Sequence, residues 1–426
     1  MTTSTAPKYD LFGPRFKAEA YATYARMRAE TPIYRRVSNT GSGATVFITR
    51  YDDAISVLRD HKRFVKDARN TLSAIEREAL PAEPRLLSLL SRHMLNADGA
   101  QHTRLRSLVN KAFTTRIIEQ MQGQIERVAD TLLAAMLDTM PRKGAVDLIE
   151  AFAFPLPIIV IAELLGVPAR DRNRFRAWSN ALVAPTPNNA RNEQKLTKSR
   201  QLMEDFISYL RAIFEARRSQ PRDDLISSLL VAEEAGDAFS EDELFSMILL
   251  LIVVGHETSV NLIGNGMLAL LQHRDAWEQL QRDASLLPSA IEEMLRYDCP
   301  VERAPMRYAA EDTLLQGVMI RRGDAVSVVL GSANRDESQF SDADHFLITR
   351  EPNRHLAFGH GVHYCLGAAL ARLEGRIAIH ALGERLPDLQ LAVPVDQLRW
   401  RTHPIMRGLQ RLPVTLTPNR TAVTAR

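Results

Sequence analysis

Cysteine is nearly absent from this chain: there are two in 426 residues, Cys299 and Cys365. Two thiols cannot build a disulfide scaffold, and the default setting for such a chain is the reducing cytoplasm. Nor can they hold an iron–sulfur cluster, which usually takes four cysteines. If this protein handles electrons, they come from another polypeptide. A surplus of one charge is missing too. The 54 basic against 51 acidic residues leave a net charge of +3, so nothing global argues for nucleic acid. Long apolar runs are also lacking. The most apolar window, LFSMILLLIVVG (residues 244–255), ends at His256-Glu257, short of the roughly 20 residues that span a bilayer. The opening MTTSTAPKYDLFGP has no basic-then-apolar leader, so no membrane anchor is expected. No internal repeat and no long low-complexity linker divides the chain, and residues 1–426 read as one domain.

What is present is an ordinary globular composition, 45% hydrophobic and 25% charged, long enough to bury a large core. IYRRV and ATVFITR flank the turn-rich SNTGSG and read as a β-hairpin. Helical periodicity covers residues 51–62 and 101–140, with a loop-like, leucine-rich region between them. Further helices run to about residue 218, interrupted by VAPTPNNARN. Ser240 and Glu243 form a capping box that opens a helix to about Gln272, apolar nearly all round and therefore buried. A second capping box, Ser289 with Glu292, opens SAIEEMLRYD, which Pro300 closes. Residues 306–330 switch to a period near two around a Gln316-Gly317 turn, and a last helix spans residues 366–386. The expectation is a mainly α fold with a small β portion.

The stretch FGHGVHYCLG (residues 358–367) puts one of the two cysteines in a glycine-rich loop ahead of that last helix. Four readings compete: a catalytic nucleophile, a zinc site, a haem ligand, or a helix-start turn and nothing more. A nucleophilic thiolate wants a paired histidine, and His360 and His363 are near. Zinc has three candidate ligands in His360, His363 and Cys365, but a closed site needs a fourth, and Cys299 in RYDCP has no metal-like spacing. A haem thiolate asks for one sulfur, for small residues that let a porphyrin approach the backbone, and for NH donors. Gly359, Gly361 and Gly367 supply the approach, and the helix start supplies NH groups and a positive dipole end. Haem fits best.

Phe358-Gly359-x-Gly361-x-His363-x-Cys365-x-Gly367 resembles the haem-binding loop of the cytochrome P450 superfamily. Six fixed positions match by chance on the order of once in ten million or more rarely. The resemblance, which extends from about residue 45 to Pro413, implies the family's triangular helical prism enclosing haem b, with Cys365 as the axial thiolate. It implies a monooxygenase that inserts one oxygen atom of O2 into an apolar organic substrate, by hydroxylation or epoxidation. Electrons would come from a ferredoxin-type donor and its NAD(P)H-dependent reductase. A peroxide-using relative and a non-enzymatic haem-thiolate sensor are the rival readings; neither has use for the acid–alcohol pair described next.

VVGHETS places Glu257 in the middle of an apolar helix, beside Thr258 and Gly255. Alone, Glu257 reads as a solvent-facing or ion-paired acid. A mid-helix glycine costs about 1 kcal/mol relative to alanine, which close ligand approach would justify. The stretch is similar to the family's small-Gly-x-acid-Thr motif, with Val254 where a smaller residue is usual; Glu257 and Thr258 are thereby implied in proton delivery. Glu293-x-x-Arg296 would mostly be a surface pair. Its place in the order is similar to the family's Glu-x-x-Arg pair, whose third partner is an arginine in Pro-x-Arg-Phe. Here that segment reads ADHF, with Ala343 and His345 at the proline and arginine positions.

His102 and Arg106 lie one helical turn apart, and by periodicity alone they are a solvated basic face. Position in the family pattern implies His102, Arg106, Arg307 and His363 as haem propionate partners, with Phe358 and Gly359 against the cofactor. Substrate contacts are expected from the loop 86–95, Leu250, Val253, Val254, Arg303, Ala304, Ile405 and Met406. Residues 102–127 carry five Arg or Lys against two acids. With Arg372 and Arg376 they suggest a docking face for an acidic donor.

Overall fold

The computed structural model describes residues 8–416 apart from 14, 38–42, 82–88, 172–173, 176, 179–192 and 235–236. The hairpin turn SNTGSG apart from Gly43, residues 86–88 of the leucine-rich loop and all of VAPTPNNARN lie outside the described residues.

The fold is mainly helical with small sheets. Strands Ile33–Val37 and Ala44–Ile48 pair antiparallel as the hairpin pattern predicts, Ile33 opposite Ile48. Ala325–Val328 joins Ala44–Ile48 in parallel, and Arg307–Ala309 and then Phe64–Val65 continue the sheet. The Gln316-Gly317 turn links Thr313–Leu315 to Val318–Ile320, with φ of 47° and 78° at its two residues. The expected helix over 101–140 is three helices, Gly99–Ala112, Thr115–Gln120 and Gln122–Lys143. Thr114 caps the second through its hydroxyl, which accepts from Ile117 N.

One helix organises the rest. Glu241–Gln272, here the central helix, opens on the predicted capping box: Ser240 Oγ accepts from Glu243 N, and Glu243 Oε2 accepts from Ser240 N. Its length and apolarity would suffice to cross a bilayer, but it is packed inside the protein. The helices Pro155–Leu164, Leu287–Tyr297 and Ala368–Arg385 pack around it. Gly255 sits close against that packing: a Cβ there would lie 3.3 Å from Ile161 Cδ1, which would have to give by a few tenths of an ångström. The principal apolar cluster runs from Ile33 to Val414.

The second predicted capping box does not form. Its helix begins earlier, at Leu287, with Pro288 in the first turn where a missing NH costs nothing. Ser289 Oγ therefore donates back to Leu286 O, and Glu292 is free to pair with Arg372 and His355.

Glu293 and Arg296 sit on that helix and are wholly buried, not a surface pair. Arg296 Nε and Nη2 each donate to a Glu293 oxygen at 2.7 Å. The third cation is Arg350, whose Nε donates to Glu293 Oε2 at 3.1 Å. It stands five residues after His345, where the family pattern led us to expect an arginine. His345 contributes its carbonyl, which accepts from Arg296 Nη2 at 2.9 Å. Removing one member of such a buried cluster typically costs about 3–5 kcal/mol.

Candidate haem site and proton path

The cysteine loop is shaped by its own backbone. Cys365 N donates to Phe358 O at 2.9 Å, which closes the loop. Gly359 and Gly361 both take positive φ, 72° and 76°. At Gly361 a Cβ would lie 2.7 Å from Leu58 O, so this glycine answers to the neighbouring helix end and not to a porphyrin. The helix that follows begins at Ala368, with Gly367 as its N-cap. Gly367 N and the cations Arg106 and Arg372 favour a Cys365 thiolate, yet burial outweighs them and pushes the thiol above its ordinary value. The helix start and these cations do not by themselves offset that burial.

The central helix is buried from Leu244 to Leu270 except at Val253, Val254, Gly255 and Thr258. These four form an accessible facet. Thr258 Oγ1 donates to Val254 O at 2.8 Å, which leaves the oxygen able to accept. Glu257 is buried and pairs with Arg401, Nη1 to Oε1 at 2.6 Å. Burial raises its pKa, and Arg401 partly offsets the rise. A second acid follows: Glu374, on Ala368–Arg385, is pushed up to about 8 by burial, which a hydrogen bond with Ser259 lowers only in part.

Glu374 gives a stability prediction. Its ordinary value is 4.5, so between 4.5 and about 8 the folded protein holds a proton that the unfolded chain has released. That contribution to stability is complete below 4.5 and is lost as pH rises through about 8. At about 1.4 kcal/mol per unit, several kcal/mol are involved. Glu374→Gln should flatten the decline in denaturant midpoint between pH 5.5 and 8.5; a wild-type slope retained in the variant would refute it.

The predicted propionate partners do converge. The rings of His102 and His363 lie 4.2 Å apart. His102 Nε2 and Arg307 Nε are buried without a hydrogen-bond partner among the described residues. Burial, together with His102, Arg307, Lys66 and Arg106, pushes His363 down to about 2. Lys66 belongs to this group and was not singled out from sequence; burial and Arg307 lower it to about 7. The strand that ends just before it, Phe64–Val65, pairs with Arg307–Ala309, so strand register was the signal that could have found it. So many buried basic groups, two with orphaned nitrogens, fit a ligand that brings two carboxylates, as haem b does.

The expected substrate residues divide. Val253 and Val254 lie on the accessible facet, and Ile405 and Met406 are half-buried. Leu250 is buried in the core. Ala304 is buried as well, its N donating to Val328 O at 2.8 Å. Arg303 turns away: its guanidinium reaches Tyr24 Oη and Leu11 O and stacks over Phe12, Phe16 and Phe47. It belongs to the N-terminal aromatic cluster.

The sequence pattern of the Cytochrome P450 family matches residues 19–385. This chain is a cytochrome P450. It is 44% identical over 408 residues to polyketide biosynthesis cytochrome P450 PksS of Bacillus subtilis, covering 95% of this chain and 98% of that one. The solved structure of PksS superposes with a TM-score of 0.86 at 42% identity, covering 96% of this chain and all of that one. Cytochrome P450 monooxygenase PikC of Streptomyces venezuelae is 44% identical over 418 residues, 97% of this chain and 95% of its own. The myxobacterial P450 CYP267B1, solved with myristic acid, has a TM-score of 0.85 at 42% identity, covering 96% and 99%. The fold is the P450 fold, the cofactor is haem b with a cysteine ligand, and the activity is that of a monooxygenase that draws electrons from a redox partner.

Proposed function

We propose that this P450 oxidises an extended apolar molecule, of polyketide or fatty-acyl type, held against Val253, Val254 and Gly255. The accessible facet carries the reading: it is the one break in the buried stretch from Leu244 to Leu270, and its residues, Thr258 excepted, are apolar. The names of PksS and of the myristic acid complex point the same way. Cys365 is the axial ligand in this reading, and His102, Arg106, Arg307, His363 and Lys66 hold the propionates. Phe358, which stacks under Arg372 at 4.5 Å, and Gly359 border the cofactor. Glu257 and Thr258 deliver protons, and residues 1–426 act as one cytoplasmic domain. When bound, haem supplies the oxidising chemistry; the chain positions, excludes water and meters protons. A screen of haem spin state should respond to macrolides and long-chain fatty acids. A response confined to small polar ligands would overturn the substrate class.

The electron donor in this reading is an acidic ferredoxin-type protein with its NAD(P)H-dependent reductase, docked on the cysteine side. Support comes from exposed Arg116, Arg127 and Arg376, and from the exposed Val362 and Tyr364 of the cysteine loop. Arg104 and Arg372 are already engaged, with Glu243 and Asp237 and with Glu292. Reduction by an acidic donor should slow as salt rises. Charge reversal at Arg116 and Arg127 should slow it further, and reversal at Arg104 much less. A rate indifferent to both would place the donor elsewhere.

A further inference from the structure

The C-terminal turn between Trp400 and Leu409 lies along one face of the central helix. It touches that helix at three successive turns. Arg401 pairs with Glu257; Gly408 abuts Asn261, where a Cβ would come within 1.9 Å of Asn261 Oδ1; and Arg407 O accepts from Asn265 Nδ2 at 3.0 Å. Residues 257, 261 and 265 are spaced by four and so share a face. The turn is itself fixed. Arg401 N donates to Gly408 O, His403 Nδ1 accepts from Ile405 N and Met406 N, and Met406 O accepts from Lys17 Nζ. Arg401 thus starts from a rigid base, and its side chain is 35% exposed while that of Glu257 is 6% exposed. It stands between solvent and the acid.

We propose that Arg401 is a positioning residue for proton delivery, opposing the effect of burial on Glu257 and aiming its carboxylate so that it can take a proton from solvent and pass it toward Thr258. Arg401 keeps its own protons throughout; the proton enters on a Glu257 carboxylate oxygen and leaves from it. The inference rests on the role given above to Glu257. Arg401 is the charged side chain that acts on Glu257. Neighbouring titratable groups are turned elsewhere: His256 to Ile252 O, Glu374 to Ser259, Glu163 of the Pro155–Leu164 helix to Gln124, and His403 to its own turn. On Leu287–Tyr297, Glu292 is bound to Arg372, and Glu293 to Arg296 and Arg350.

The test is an infrared pH titration of the haem-loaded protein, following the protonated-carboxyl band that Glu257→Gln abolishes. An opposite charge this close lowers a carboxyl pKa by about one to three units, so Arg401→Gln should raise the midpoint by about one pH unit or more. Arg401→Lys should raise it less. The limb of the turnover profile that disappears in Glu257→Gln should move upward in pH with the midpoint. Substrate affinity, read by spin state, should stay unchanged. A midpoint unmoved in Arg401→Gln, or weaker substrate binding as its sole effect, overturns the inference. If Glu257→Gln turns over at the full rate, the proton-delivery role itself fails. If Glu257→Gln slows turnover but the Arg401 midpoints stay put, Arg401 alone is excluded.

Discussion

Cys365→Ser should yield a folded protein whose reduced carbonyl complex lacks the strongly red-shifted Soret band of thiolate ligation, with monooxygenase turnover lost. Serine is nearly isosteric, and the backbone that shapes the loop is untouched: Cys365 N still meets Phe358 O, and the glycines at 359 and 361 still take their positive φ. What changes is the donor, because an alkoxide is far less accessible than a thiolate. The other cysteine cannot substitute. Cys299 is wholly buried, its thiol faces Val301 O, and burial pushes it well above its ordinary value. Cys299→Ala is therefore the matched control and should keep the band. A red-shifted band surviving in Cys365→Ser, or lost in Cys299→Ala, would reverse the assignment.

Local signals made much of this site legible before any coordinates. The capping box at Ser240 and the apolar run behind it depend on contacts three residues apart, and both appear as read. The glycine spacing around Cys365 is also local. What stayed hidden depends on distant partners. Arg350 joins Glu293 from 57 residues away, and no spacing rule says which arginine will fold back. Lys66 comes near His363 and Arg307 only through strand register. Gly361 looked like an allowance for a cofactor, and it took the Leu58 carbonyl to give the actual reason. Ser289 had the letters of a capping box, but with Pro288 in its first turn the helix opens three positions earlier, at Leu287, so a stronger local signal won. Arg303 looked like a pocket residue by position; aromatic rings from the N-terminal segment claim it instead.

Thr258→Ala should leave haem content, the ferrous-carbonyl spectrum and NAD(P)H consumption near wild type, while product per NAD(P)H falls and hydrogen peroxide rises to match. Two electrons and two protons convert dioxygen into one water and one oxygen atom for the substrate. The same electrons and protons, arriving without order, convert it into hydrogen peroxide. Which result follows depends on where protons are presented, and that is a matter for side chains. Thr258 lies on the accessible facet, one residue after the acid that Arg401 holds. Its hydroxyl hydrogen is committed to Val254 O at 2.8 Å, a bond that mid-helix threonines commonly make. That commitment orients the oxygen, and its lone pairs then accept from a proton donor at a set position. Alanine removes the acceptor without disturbing the helix, since it is the better helix former. Thr258→Ser keeps the hydroxyl and should restore most of the product yield, which separates proton handling from loss of a methyl contact. Glu257→Gln should act differently: the titratable group is gone, so overall turnover slows instead of leaking to peroxide. If the bond to Val254 O is all that Thr258 does, alanine will leave the ratio of product to peroxide where it was. That unaltered ratio, in a haem-loaded variant, would end the proton-path reading of Thr258.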